Sequence, residues 1–125
     1  MSRILIADDE ESMRLLVARA IAIDGHEIVT AEDGAEALEI LNREQGAFDL
    51  LLTDIQMPVM DGIALALAAA RDFPDLTIIL MTGFADQRER AHGLNAIVHD
   101  VVTKPFSVAD IRAAVAAALQ ARKTG

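Results

Sequence analysis

The stretch Leu50-Leu51-Leu52-Thr53-Asp54-Ile55-Gln56-Met57-Pro58-Val59-Met60-Asp61-Gly62 decides how this chain folds. It opens on a dense apolar run with no polar alternation, as expected of a strand buried on both faces of a parallel sheet. An acid ends the run. A loop with Pro and Gly then leads into Ile63, Leu65, Ala66 and Ala69, which have helical spacing. The same alternation repeats to either side. Ile4-Leu5-Ile6-Ala7, Ile28-Val29-Thr30, Thr77-Ile78-Ile79-Leu80-Met81 and Val101-Val102-Thr103 read as further strands. Met13, Leu16, Val17, Ala20 and Ile21 form one helical stripe, and Ala37, Leu38, Ile40 and Leu41 a second. Val108, Ile111, Val115, Ala118 and Leu119 form the last, and the polar segment Asp86 to Leu94 is expected to be a short helix with few apolar anchors.

Local punctuation agrees. Asp24-Gly25 closes the first helix, Asp33-Gly34 opens the second, and Phe73-Pro74-Asp75 stops the third. Ser107 with Asp110 three residues on resembles a capping box. The order βαβαβαβαβα predicts an α/β fold, a five-stranded parallel sheet wound doubly as (βα)5 with right-handed crossovers. A length of 125 residues, 53% of them apolar, suits one domain over 1–125 with a core from about 3 to 120 and a frayed tail at 121–125. The net charge of -9 argues against binding nucleic acid or an anionic membrane through the general field. Aromatic residues make up 3%, with no Tyr or Trp, which disfavours a site built on stacked rings. Cysteine is absent, the apolar start is too short for a signal peptide, and no run approaches the ~20 residues of a membrane span, so a cytoplasmic setting is expected.

Ligands of an open α/β sheet bind beyond the carboxyl ends of its strands. There this sequence has Asp8, Asp9 and Glu10, then Asp54, then Thr82 and Gly83, then Lys104 and Pro105. A single Asp after a strand is usually a cap or turn residue. Four of five strands ending in the ingredients of one hard-cation phosphate site is a coincidence that caps do not explain. The lysines of the chain are Lys104 and Lys123, and the former sits between a buried strand and a proline, where a solubilising charge has no use. Oxygen ligands suit Mg²⁺, with Mn²⁺ possible, better than Zn²⁺, and His26, His92 and His99 are scattered. Such a carboxylate can attack phosphorus and become an acyl phosphate, while metal, ammonium and hydroxyl stabilise the developing charge.

At these residues the sequence resembles a two-component response-regulator receiver domain, the flavodoxin-like fold of the chemotaxis regulators. The likeness runs from Ile4 to Leu119 and is carried by residues 4–10, 50–62, Met-Thr-Gly at 81–83 and Thr-Lys-Pro-Phe at 103–106. It implies that Asp54 is the phosphoacceptor, with Asp9 a direct Mg²⁺ ligand, Asp8 supporting it and Gln56 giving its backbone carbonyl. It also implies that Thr82 and Lys104 bond the phosphoryl group and that Lys104–Pro105 is cis. Met57, Pro58, Asp61 and Gly62 would shape the following loop, Gly62 through a positive φ. The implied phosphodonor is a histidine kinase or a histidine phosphotransferase, and the output a phosphorylation-dependent protein contact.

One position departs from the family pattern. Val101 stands where an aromatic switch residue is common. One route left to the signal is Phe84 and the segment after it, with packing the alternative role for that ring. Thr-Gly-Phe-Ala at 82–85, Val101 and the lack of an output domain resemble the CpdR-like stand-alone regulators of alphaproteobacterial cell-cycle proteolysis, whose partner is the ClpX protease machinery. The competing reading is a haloacid-dehalogenase-like Mg²⁺-dependent phosphohydrolase, an enzyme rather than a signalling acceptor. It would need its nucleophile as the first Asp of a DxD after the first strand, where this chain has adjacent acids. An FMN carrier lacks its phosphate loop and aromatics here, and a transcription factor is disfavoured because no DNA-binding domain follows residue 125.

Overall fold

The computed structural model describes residues 2–83, 90–91 and 93–124. Phe84, His92 and much of the short helix expected over 86–94 lie outside them. Five parallel strands, β1 (Arg3–Ala7), β2 (Glu27–Ala31), β3 (Leu50–Asp54), β4 (Thr77–Thr82) and β5 (Asp100–Thr103), form one sheet in the order β2-β1-β3-β4-β5. Among the described residues the helices are α1 (Glu11–Ala22), α2 (Gly34–Arg43), α3 (Gly62–Asp72) and α4 (Val108–Thr124).

Side chains of a strand alternate between faces, and here both faces are covered. Leu5, Leu51, Ile78 and Leu80 pack with Ala37, Ile40 and Leu41 of α2 and Leu65, Ala66 and Ala69 of α3. Ile4, Ile6, Leu50, Leu52, Ile79 and Met81 pack with Val17 and Ile21 of α1 and Ile111, Val115 and Leu119 of α4. Two covered faces explain the unbroken apolar runs within β1, β3 and β4, residues 4–7, 50–52 and 78–81. The edge strands differ, since Glu27 and Thr30 of β2 and Asp100 and Thr103 of β5 are exposed.

Two stripe residues are corrected. Leu16 is 45% exposed beside Leu15, because α1 turns Val17, Ala20 and Ile21 inward. Val108 is 40% exposed, being the first residue of α4, a turn ahead of buried Ile111. Helix α4 continues to Thr124, and Arg122 in its last turn bonds the Asp75 carbonyl and approaches Asp49 at 3.5 Å.

The caps follow the sequence. Asp33 accepts the Glu36 N–H and Asp61 the Ala64 N–H, each at 2.8 Å, so both helices start on a satisfied donor. Ser107 Oγ accepts the Asp110 N–H and the Asp110 carboxylate accepts the Ser107 N–H, both at 3.0 Å, a reciprocal capping box. Helix α1 is the exception, as its N-cap residue Glu10 makes no side-chain cap bond.

Candidate functional site

Strand register builds the site. Ala7 of β1 pairs with Thr53 of β3, so Asp8 and Asp54 stand side by side one step further on. The chain runs from β1 out to β2 and then back across to β3, so these two acids flank the point where strand order reverses. Asp54 pairs with Met81, placing Thr82 one step ahead, and Thr82 pairs with Thr103, placing Lys104 one step ahead again. Strand β5 is two strands from β3, about 10 Å in the hydrogen-bonding direction. Only a long side chain covers that distance. Lys104 Nζ lies 3.1 Å from Asp54 Oδ1 and 3.5 Å from Asp8 Oδ2. The Lys104 backbone is fixed by its N–H donating to the Thr82 carbonyl at 2.7 Å, and Lys104–Pro105 is cis, as expected.

Asp8 is fully buried, Asp54 nearly so, and Asp9 is exposed. Burial drives the Asp8 carboxyl above its usual pKa, against the pull of the Glu10 N–H and Lys104. Burial also raises Asp54, opposed by Lys104 and reinforced by Asp8. Burial of Lys104 disfavours its charge, yet Asp54 and Asp8 outweigh that and its pKa rises. One ammonium thus faces more negative charge than it can neutralise.

The residues fit a hard divalent cation. Carboxylate oxygens of Asp8, Asp9 and Asp54 all lie within 4.8 Å of one another. Asp8 Oδ1 accepts the Glu10 N–H at 3.0 Å, while buried Asp8 Oδ2 makes no hydrogen bond among the described residues and has beside it the Lys104 ammonium at 3.5 Å, which it shares with Asp54. A buried carboxylate oxygen that shares its ammonium with a second acid is costly unless further positive charge arrives. Two unit charges ~4 Å apart repel by ~4 kcal/mol at an effective dielectric of ~20. An all-oxygen cluster suits Mg²⁺ or Mn²⁺.

The remaining expected residues fall around this cluster. Thr82 is fully buried at the end of β4, and exposed Gln56 is the second residue beyond Asp54. His26 and His99 precede β2 and β5, at the opposite end of a parallel sheet. The reason given for Gly62 is corrected. Its backbone is not left-handed; a Cβ there would stand 2.0 Å from the Asp54 carbonyl oxygen, so close approach requires glycine. Positive φ occurs instead at exposed Val59, φ 68.

Two contacts were not anticipated. Arg14 of α1 donates to the Asp8 carbonyl at 2.8 Å and ties the acidic turn to the helix. Arg90 bonds Asp61 at 2.7 Å, joining the α3 cap to the segment after β4. Residue spacing carries no signal for either pair, because each crosses between elements. Val101 is half-buried against the α2–α3 side of the core.

The response regulator receiver domain profile matches residues 4–116. The response regulator receiver protein CpdR of Brucella abortus (strain 2308) is 40% identical over 111 residues, covering 89% of this chain and 91% of that protein. The probable transcriptional regulator ycf27 of Guillardia theta is 36% identical over 94% of this chain, which spans about half the length of that relative (45%). The response regulator TrrA of Thermotoga maritima, solved in complex with Mg²⁺ and BeF, superposes with a TM-score of 0.81 at 32% identity, covering 94% of this chain and 98% of that one. A CheY-like receiver from Methanospirillum hungatei gives a TM-score of 0.89 at 27% identity over 99% of this chain and 98% of that one. These findings do not favour the haloacid-dehalogenase alternative. No helix among the described residues is long and apolar enough to cross a membrane.

Proposed function

Because this chain belongs to the response regulator receiver-domain family, we propose that it accepts a phosphoryl group on Asp54 and signals through the contacts its phosphorylated form makes or loses. The donor is a phosphohistidine on a histidine kinase or histidine phosphotransferase. The observation that carries this reading is buried Asp54 at 3.1 Å from Lys104 Nζ, with oxygens of Asp8 and Asp9 in reach of the same ion.

In the transfer, an Asp54 carboxylate oxygen forms a bond to phosphorus as the donor N–P bond breaks. The electron pair leaves with the imidazole, which takes up a proton, and Asp54 becomes an acyl phosphate. Lys104 presents its positive charge where the phosphoryl oxygens arrive, and the Thr82 hydroxyl is the donor at the end of β4. Asp8, Asp9, Asp54 and the Gln56 carbonyl would hold Mg²⁺, with Mn²⁺ able to replace it. When bound, the ion supplies charge neutralisation for the transferring group. Arg14 keeps the Asp8 backbone in place through its 2.8 Å bond. Capture of a structural relative with Mg²⁺ and the phosphoryl mimic BeF supports the same chemistry here.

We further propose that residues 1–125 act as one receiver domain in the cytoplasm. Its downstream partner would be a protein, the ClpX protease machinery being the candidate. The support is the CpdR relative, which this chain covers almost from end to end. Phosphoramidate, a small N–P donor, tests the reading. Intact-mass analysis should show one phosphoryl group taken up with Mg²⁺ and none with a chelator, labile to hydroxylamine. Uptake that ignores the chelator would overturn it.

A further inference from the structure

We propose that Gly34, the first residue of α2, is a positioning residue that fixes the loop of residues 56–61 and through it the affinity for Mg²⁺. The inference rests on the reading that this rim binds that ion. The loop leaves β3 after Asp54 and enters α3 at Gly62, and its two ends are pinned. Ile55 N–H donates to the Met81 carbonyl at 3.1 Å, and Gly62 N–H donates to the Ile55 carbonyl at 2.8 Å. Between them, Met60 N–H donates to the Pro58 carbonyl at 2.7 Å, which closes a γ-turn on Val59 at φ 68. A β-branched residue is strained there, and at 85% exposure Val59 has no packing to offset it. Such a conformation persists where its neighbours over-determine it.

The neighbour is Gly34. Its N–H donates to the Met60 carbonyl at 3.2 Å. A Cβ on Gly34 would stand 2.2 Å from that oxygen and 3.0 Å from the Met60 carbonyl carbon. The obstacle is backbone, so no rotamer change absorbs it; either the loop or the start of α2 must move. Helix propensity would favour Ala at this position. The φ of Gly34 is not left-handed, and the cap is supplied by Asp33. Close approach to Met60 is what remains to require glycine. A shift of Met60 within the loop has to be taken up between the pinned Ile55 and Gly62, a stretch that includes Gln56.

The test is calorimetric titration of Mg²⁺ into wild type, Gly34→Ala and Asp33→Ala, with melting temperatures for each. Asp33→Ala removes the α2 cap and lowers stability without placing an atom against Met60. Gly34→Ala should weaken Mg²⁺ binding by about 10-fold or more, the size seen when groups supporting metal ligands are lost. Asp33→Ala should melt earlier yet bind Mg²⁺ like wild type. In the wild type, Mg²⁺ should slow hydrogen exchange at the Gly34 amide more than at the Glu36 amide, a readout that stands even where Gly34→Ala does not fold. Wild-type affinity in Gly34→Ala, equal losses in both variants, or an unchanged Gly34 amide would overturn the inference. No Mg²⁺ binding by the wild type would instead defeat the underlying reading.

Discussion

Lys104 brings one positive charge to two buried carboxylates, and that imbalance governs how single residues respond to pH and metal. Asp8 and Asp54 have folded pKa values raised first by burial. A raised carboxyl contributes stability that is complete below the unfolded value of about 4 and is lost as pH rises through the folded value. The metal-free protein should therefore lose stability as pH climbs from about 4 towards neutral, and Mg²⁺, binding the folded state alone, should restore it. Asp8→Asn should flatten the decline and raise metal-free stability near pH 7 by on the order of 1 kcal/mol, read as a higher Tm. It should also remove the stabilisation by Mg²⁺. A lower metal-free Tm for this variant would count against a strained acidic cluster. The acids, Thr82 and Lys104 were legible because each stands at or just beyond the carboxyl end of a strand. Gly34 and Arg14 were not, since what they touch is decided by how α2 and α1 settle on the sheet.

At the scale of elements, the chain's punctuation does most of the placing. Ser107 and Asp110 close a box at the start of α4, the helix that covers Ile79 and Met81 on one face of the sheet. Ser107→Ala should cost about 1 kcal/mol in denaturant unfolding, with the slope unchanged. An unaltered midpoint would mean that the box contributes nothing beyond what solvent supplies. The double burial expected of most strands holds for β1, β3 and β4, which have a helix on each side. It fails for β2 and β5 because an edge strand has a neighbour on one side only, as Glu27 and Asp100 register. Periodicity overreached at Leu16 and Val108, where apolar residues in step with the stripe lie beyond the area the sheet covers. It also stopped short at Leu119, because the ties of Arg122 to Asp49 and Asp75 involve polar partners far away in sequence.

Over the whole molecule, one sheet with a strand-order reversal between β1 and β3 concentrates the chemistry at one end. The same arrangement puts two carboxylates within reach of Lys104, so geometry alone nominates either Asp8 or Asp54 for attack on phosphorus. On the proposed reading Asp8, whose buried Oδ2 makes no hydrogen bond and lies 3.5 Å from Lys104, would hold the metal, and Asp54, closer to Lys104 at 3.1 Å, would take the phosphoryl group. Borohydride reduction of the phosphorylated protein separates the two, since an aspartyl phosphate is reduced to homoserine at the acceptor position. After phosphorylation with Mg²⁺ and phosphoramidate, peptide sequencing should find homoserine at position 54 and nowhere else. Homoserine at position 8 or 9 would contradict the account and return the chain to a phosphohydrolase-like nucleophile on β1.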